Sequence, residues 1–477
     1  MSSTQTIPNI QQQHLQNFIT SYTQRTKTSK QLAQTHRPVL ADNKTIVEFN
    51  PAFKEMFYPI VGKRSHGSRI WDIDNNEYID LIMGFGINLF GHNPDFIKEA
   101  LQEQLEKGIQ IGPQAELAGE VAQLFSELTG MERVAFSNTG TEAVMTALRL
   151  ARAATNRPKI AMFSGSYHGH FDGTLVKQKN ENGNLKTVPL VPGITSNFIA
   201  DILILDYGNP QSLEIIKAHA HELAAVIVEP VQSRRPNLQP KTFLHQLRQL
   251  ATELGIVLIF DEMVTGFRIH PGGAQAWFGV QADIATYGKI VGGGMPIGVI
   301  AGKANIMDAI DGGTWNYGDT SSPQAKTTFF AGTFCKHPLS LAAAKAVLQY
   351  LKSQGSTLQE QLNQRTTEFV ATLNAYFEAE ELPIQMTNFG SLFGPVASGG
   401  SAQSENAESS GMDLLYYHLV HRGVMLRGGG GFLSTAHTDT DLEYILDAVK
   451  SSIQDLRSGF FLPPRSSKVE TVVSATK

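Results

Sequence analysis

AAVIVEPVQSRRPNLQPKTFLHQLRQLATELGIVLIFDE, residues 224–262, carries two short apolar runs on either side of a longer polar-apolar stretch. AAVIVEP (224–230) and IVLIFDE (256–262) are apolar without alternation, so neither run leaves a face for water. Residues 241–254 between them read as a helix. Strands of this kind alternating with helices form a parallel sheet covered on both sides. The pattern extends outward from there. VAFS (134–137) leads into a helix over 141–154, KIAMFSG (159–165) is a strand, and ILIL (202–205) precedes a helix near 212–222. IGVIAG (297–302) adds a further short strand. The fold class is α/β: a large domain with a mostly parallel sheet, beside a smaller α+β domain.

The 477 residues suit one large domain plus a smaller one. With 42% hydrophobic and 17% charged residues the composition is that of a globular protein. A net charge of -5, with acids and bases interspersed, lacks the basic stripe of a nucleic-acid binder. Cys335 is the one cysteine, so no disulfide framework is expected and a reducing, cytoplasmic setting is. No apolar run approaches membrane-spanning length.

The boundaries expected are an N-terminal helix and polar linker over 1–46, the first part of the small domain over 47–110, and the large domain over 111–338. The C-terminal small domain covers 339–460, and 461–477 is a loose tail. Within the first, Leu15, Phe18, Ile19 and Tyr22 give an amphipathic helix after ten loose residues, and a polar stretch runs on to Arg37. RIWDIDNNEYIDL (69–81) signals a hairpin at Asn75–Asn76. ASGGSAQSENAESSG (397–411) reads as a surface loop.

Ligands of open parallel sheets sit at the carboxyl ends of the strands, and four segments place polar residues there. In SNTGTEA (137–143), Thr139, Gly140 and Thr141 open a helix whose N-terminus suits a phosphate, although the same residues cap ordinary helices. In GSYHGHFDG (165–173), Tyr167 and His168 offer flat faces for a planar ring. The alternatives are a buried structural Tyr-His pair, or zinc at His168 and His170, for which further ligands are lacking and no metal is expected. Asp261 ends a wholly apolar strand, where an ionised carboxylate needs a partner. That partner is a protonated ring nitrogen or, more plainly, Arg268 or the N-terminus of a helix that the carboxylate caps. Lys289, in TYGKIVGGGMPIG (286–298), combines a desolvated amine able to attack a carbonyl with three glycines that make room. A lysine snorkelling to solvent is the bland reading. Phosphate, flat ring, ring nitrogen and aldehyde together describe pyridoxal 5'-phosphate.

DEMVTGFR (261–268), GKIVGGGMPIG (288–298), SNTGTEA and YHGH resemble the class III aminotransferases, and most closely the glutamate-1-semialdehyde aminomutases, over roughly residues 59–455. The resemblance implies a fold-type I homodimer with sites at the subunit interface. It implies that Lys289 binds the cofactor aldehyde, that Asp261 keeps the pyridinium nitrogen protonated, and that Met263 and Tyr167 pack on the two ring faces. Thr139, Gly140 and Thr141 match the phosphate cup. Thr333, in FFAGTFCKHPLS (329–340), matches a threonine reaching the neighbouring subunit's phosphate, and Glu229 an acidic residue near the cofactor.

Two places depart from the aminomutases. Where the family has a substrate-holding arginine upstream of PIV, FNPAFKEMFYPIV (49–61) has Asn50 and Pro51. Where it has a glutamate before FLSTAH, RGGGGFLSTAH (427–437) has Gly429, beside Arg427, and both residues are expected on the substrate side. NLFGHNPDFI, AGTFCKHPLS and RGGGGFLS are similar to aminotransferase units of hybrid polyketide and nonribosomal peptide synthases. That likeness implies amination of a β-keto acyl chain on an acyl carrier protein, with glutamine or glutamate as amino donor. The alternatives are glutamate-1-semialdehyde 2,1-aminomutase activity and a non-catalytic docking module.

Overall fold

Residues 223–261 fold as strand Leu223–Val228, helix Lys241–Leu254 and strand Val257–Asp261 in the computed structural model. The structure describes residues 3–43, 49–181, 184–396, 407–426 and 428–465. Both strands are buried throughout and pair in parallel, Val257 opposite Ala225 and Phe260 opposite Val228. The helix turns Phe243, Leu244, Leu247 and Ala251 inward and stops at Gly255, whose φ of +62° reverses the chain.

The large sheet has seven strands: β1 (Arg133–Ser137), β2 (Lys159–Phe163), β3 (Ile202–Leu205), β4 (Leu223–Val228), β5 (Val257–Asp261), β6 (Ile284–Gly288) and β7 (Gly298–Gly302), in the order β1-β7-β6-β5-β4-β2-β3. β7 runs antiparallel to both its neighbours, and every other pairing is parallel. The connection explains the exception. A parallel crossover needs a dozen or more residues, and only the short segment 289–297 joins β6 to β7. The chain therefore turns straight back, which sets Gly298 opposite Ser137.

Among the described residues three smaller sheets accompany it, one of them the two-stranded antiparallel ribbon of Val176–Glu181 and Asn184–Pro189. Gly62–His66, Arg69–Asp72 and Glu77–Asp80 form an antiparallel ribbon, turned at Asn75 (φ +64°), and Val424–Met425 adds to it in parallel. Met386–Phe389, Leu392–Pro395 and Gly431–Phe432 form the third. Helices Pro338–Gln354, Thr357–Ala379, Ala407–His421 and Asp439–Ser458 complete the C-terminal part.

Three expectations need correction. The N-terminal helix begins at Ser3 rather than near Leu15, and the polar stretch after it is a second helix, Lys27–His36, rather than a linker. That helix is held from outside: the Asp74 carboxylate accepts from the N–H groups of Thr28 and Ser29 at 3.1–3.2 Å, and the Ser29 hydroxyl accepts from Val61 N at 3.1 Å. Of the expected loop 397–411, residues 407–411 already belong to helix Ala407–His421, and 397–406 lie outside the described residues, as does most of the tail. Among the described residues no helix is long and apolar enough to cross a membrane.

Candidate active site

Asp261, the last residue of β5, is 3% exposed. Its Oδ2 accepts from Nδ1 of the fully buried His168 at 2.7 Å, and its Oδ1 accepts from Met263 N at 3.1 Å. The carboxylate thus enters the site already oriented. His168 is consequently no free stacking face: it braces Asp261 from the loop after β2, while its buried Nε2 has no partner among the described residues. Tyr167, 48% exposed, does present an open ring. Arg268 is not Asp261's partner. Its buried guanidinium donates to Val264 O, Ser391 Oγ and Gly86 O and lies 4.7 Å from the Phe432 ring centre, tying the β5 loop to both small-domain segments.

Lys289 follows β6 directly, half-buried, with a φ of +47° that few residues other than glycine adopt. Burial lowers its amine below the ordinary 10.5; Asp261 and Glu229 oppose this, and the Arg268 cation adds to it. Of the three glycines after it, Gly294 has nothing within 4 Å of a Cβ, whereas neighbours approach Gly292 and Gly293 closely. A Cβ on Gly292 would meet Ile297 at 2.9 Å, and one on Gly293 would meet Ile97 at 2.8 Å. Their bareness packs the turn against the helices beneath.

Thr139 caps helix Gly140–Thr155, its hydroxyl accepting from Glu142 N at 3.2 Å, while the Glu142 carboxylate accepts from Asn138 N at 2.7 Å. Capping is real, then, but it leaves the first-turn N–H groups of Gly140 and Thr141 without intrahelical acceptors. The cup is tightly built: a Cβ on Gly298 would stand 2.1 Å from Thr139 O, one on Gly140 2.8 Å from Met263 Sδ, and one on Gly169 2.5 Å from Thr141 Oγ1. Met263 lies between Gly140 and Gly288.

Glu229, after β4, is buried, with its oxygens accepting from Tyr167 N at 3.2 Å and Ser233 N at 3.0 Å. Burial pushes its carboxyl up to about 7, against the pull of His168. It clamps two loops together. Thr333 is exposed, in a segment whose Gly332 stands against Asn138, where it lines a cavity of about 600 Å³ with residues 110–115. Gly429 has a φ of +74°, and a Cβ there would touch the Pro395 ring at 3.8 Å; Arg427 lies outside the described residues. Among the described residues no group of His, Cys, Asp and Glu is arranged for a metal. Sequence reading missed Arg234, whose guanidinium lies 5.6 Å from the Tyr167 ring centre, and the linking role of Arg268. An arginine following the apolar Gly266–Phe267 was the available signal for the second.

The family profile described as Aminotransferase class-III matches residues 51–435. The chain belongs to the class III aminotransferases. Glutamate-1-semialdehyde 2,1-aminomutases resemble this aminotransferase in sequence: that of Chloroflexus aggregans is 34% identical over 413 residues, 83% of this chain and 91% of its own. That of Alkaliphilus oremlandii is 36% identical over 405 residues, again 83% and 91%. Among solved structures, a transaminase with PLP bound superposes with a TM-score of 0.80 at 29% identity, covering 91% of this chain and 99% of its own. A β-phenylalanine aminotransferase from Variovorax paradoxus gives 0.79 at 28%, covering 95% and 99%. The class III aminotransferase is a pyridoxal 5'-phosphate enzyme of fold type I. The tight cup, the braced carboxylate and the desolvated amine fit that cofactor.

Proposed function

We propose that this class III aminotransferase holds its cofactor through Lys289, Asp261 and the 139–141 cup, and passes an amino group from glutamine or glutamate to a β-keto acyl thioester on a carrier protein. Bound pyridoxal 5'-phosphate supplies the electron sink that lets a C–H bond beside nitrogen break. The chain supplies the rest. Asp261, fixed by His168 and Met263 N, keeps a proton on the ring nitrogen. Gly140 and Thr141 N–H groups at the helix N-terminus take the phosphate, and Met263 and Tyr167 flank the ring. Lys289, its amine pushed toward the neutral form, takes the proton from the substrate carbon and returns it.

Thr333 serves a second copy of the chain. Phe329 and Phe334 on its segment are 79% and 58% exposed, and Tyr317 nearby in sequence is 91% exposed, a concentration of bare apolar surface suited to a homodimer.

The substrate assignment is carried by one observation. The two positions at which likeness to the aminomutases calls for an arginine and a glutamate hold Asn50 and Gly429. Asn50 is spent capping residues 51–56, accepting from Ala52 N at 3.0 Å, and Gly429 carries no side chain. The site keeps the amino-transfer chemistry without those two side chains, as a substrate anchored through a carrier would allow. A second reading, intramolecular amino transfer on glutamate 1-semialdehyde, is supported by the names of the relatives reported above, none of which mentions a carrier. On the comparisons alone this second reading is the better supported. Mass spectrometry of a carrier loaded with β-keto acyl groups, together with incubation of the enzyme with glutamate 1-semialdehyde, separates the two. The proposal expects the amine on the carrier and no 5-aminolevulinate; formation of 5-aminolevulinate puts the second reading in its place.

A further inference from the structure

We infer that Arg234, with Arg235 beside it, is an oxyanion-binding subsite on the Tyr167 side of the cofactor pocket, taking a carboxylate or phosphodiester of the substrate. The inference rests on the proposed cofactor position for its orientation, because Tyr167 is the ring-flanking residue there. Its geometry comes from the loop after β4. Arg235 N donates to Gln232 O at 2.8 Å, closing a turn over 232–235, and Leu238 N donates to Arg235 O at 2.9 Å. Glu229 ties this turn to the Tyr167 loop through Ser233 N and Tyr167 N, and Gln232 Nε2 donates across to Ser164 O at 2.9 Å. These three hydrogen bonds join the two loops.

On that support the Arg234 guanidinium lies 5.6 Å from the exposed Tyr167 ring. Arg235 lies against bare Gly165, where a Cβ would come 3.7 Å from its Cδ and 3.9 Å from its Nη1. Arg234 is exposed and Arg235 half-buried, and neither makes an ion pair among the described residues. A guanidinium without a carboxylate partner offers a planar fork of donors to an oxyanion. At the mouth of a site whose substrates carry such a group, that fork supplies the recognition that Asn50 and Gly429 no longer give.

The test follows the donor half-reaction by the absorbance change of the bound cofactor. L-glutamate, L-glutamine and 1-phenylethylamine, an amine without a carboxylate, are compared in the wild type, Arg234→Gln, Arg234→Lys and Arg235→Gln. A carboxylate subsite raises the half-saturating concentration of the amino acid at least about tenfold in Arg234→Gln, less in Arg234→Lys, and leaves phenylethylamine within twofold. A phosphodiester subsite leaves all donors unchanged. It instead weakens a carrier-borne β-keto acyl group relative to the same acyl group on N-acetylcysteamine, which lacks the phosphodiester. Equal kinetics for wild type and variants in every arm overturn the inference. A wild type that reacts with donors in an Arg234-dependent way but aminates no β-keto acyl thioester refutes the substrate proposal and leaves the subsite standing.

Discussion

Gly298→Ala should disable the enzyme from the floor of the phosphate cup without touching any reacting group. The added Cβ would stand 2.1 Å from Thr139 O and 2.5 Å from Ser137 Oγ, whereas real Cβ contacts do not fall below 3.0 Å. The Ser137 hydroxyl can rotate away. The Thr139 carbonyl cannot, because it accepts the first intrahelical bond, from Ala143 N at 3.1 Å. Relief therefore requires about 0.9 Å (3.0 less 2.1) of movement between β7 and the start of helix Gly140–Thr155. Overpacking of this kind costs on the order of 1–3 kcal/mol, and a misplacement near 1 Å in a positioned site costs roughly 100-fold in turnover. Titrating apo-protein with pyridoxal 5'-phosphate, then measuring turnover at saturation, reads both effects. Gly119→Ala, on an exposed helix position with nothing within 4 Å of the new Cβ, is the control and should be neutral or slightly stabilising. Cofactor affinity and turnover within threefold of wild type in Gly298→Ala would refute the reasoning.

Three further outcomes follow from the same geometry. Asp261→Asn should keep its cofactor but lose about 10²–10³-fold in turnover, since the oriented charge opposite the ring is gone; near-normal turnover contradicts the role given to Asp261. Because burial holds the Lys289 amine below 10.5, cofactor uptake by apo-protein should rise with pH to a midpoint below 10.5, and a midpoint at or above that value argues against a desolvated lysine. His437, 1% exposed, takes Ser434 N–H on Nδ1 at 3.0 Å and faces Asp80 O with Nε2, so it is buried neutral and its pKa falls from 6.5 to about 4. Its folded value lies below its unfolded one, so its contribution is complete above pH 6.5 and is lost as pH falls toward 4. That loss is roughly 3 kcal/mol at most, and His437→Asn should show a correspondingly shallower decline in urea-unfolding free energy across that window; parallel curves would contradict it.

What the sequence disclosed depended on whether local pattern or distant contact set the outcome. β4 and β5 were legible because burial on both faces leaves strands apolar at every position. The return of β7 was not, because its direction comes from the length of the 289–297 link and not from periodicity. Helix Lys27–His36 has no clear apolar stripe and exists through Asp74 and Ser29, contacts 32 to 46 residues away. At the site, Lys289 and Asp261 stood out as charges in apolar surroundings, where ionised groups need a purpose. For His168 the buried structural alternative agrees with the geometry, but its partner Asp261, 93 residues on, carries no mark in the local sequence. Gly292 and Gly293 marked a close approach in the right turn, but not its partners, Ile297 and Ile97. Arg234 carries no local mark at all, and only the pairing of two loops by Glu229 brings it to Tyr167.

Covalent attachment of the cofactor to Lys289 is tested most directly by borohydride reduction of the purified holoenzyme, proteolysis and mass spectrometry of the peptides. The expected result is a pyridoxyl group on Lys289 and on no other lysine, with the colour lost in Lys289→Ala. A pyridoxyl group elsewhere, or an active holoenzyme with none, would contradict it.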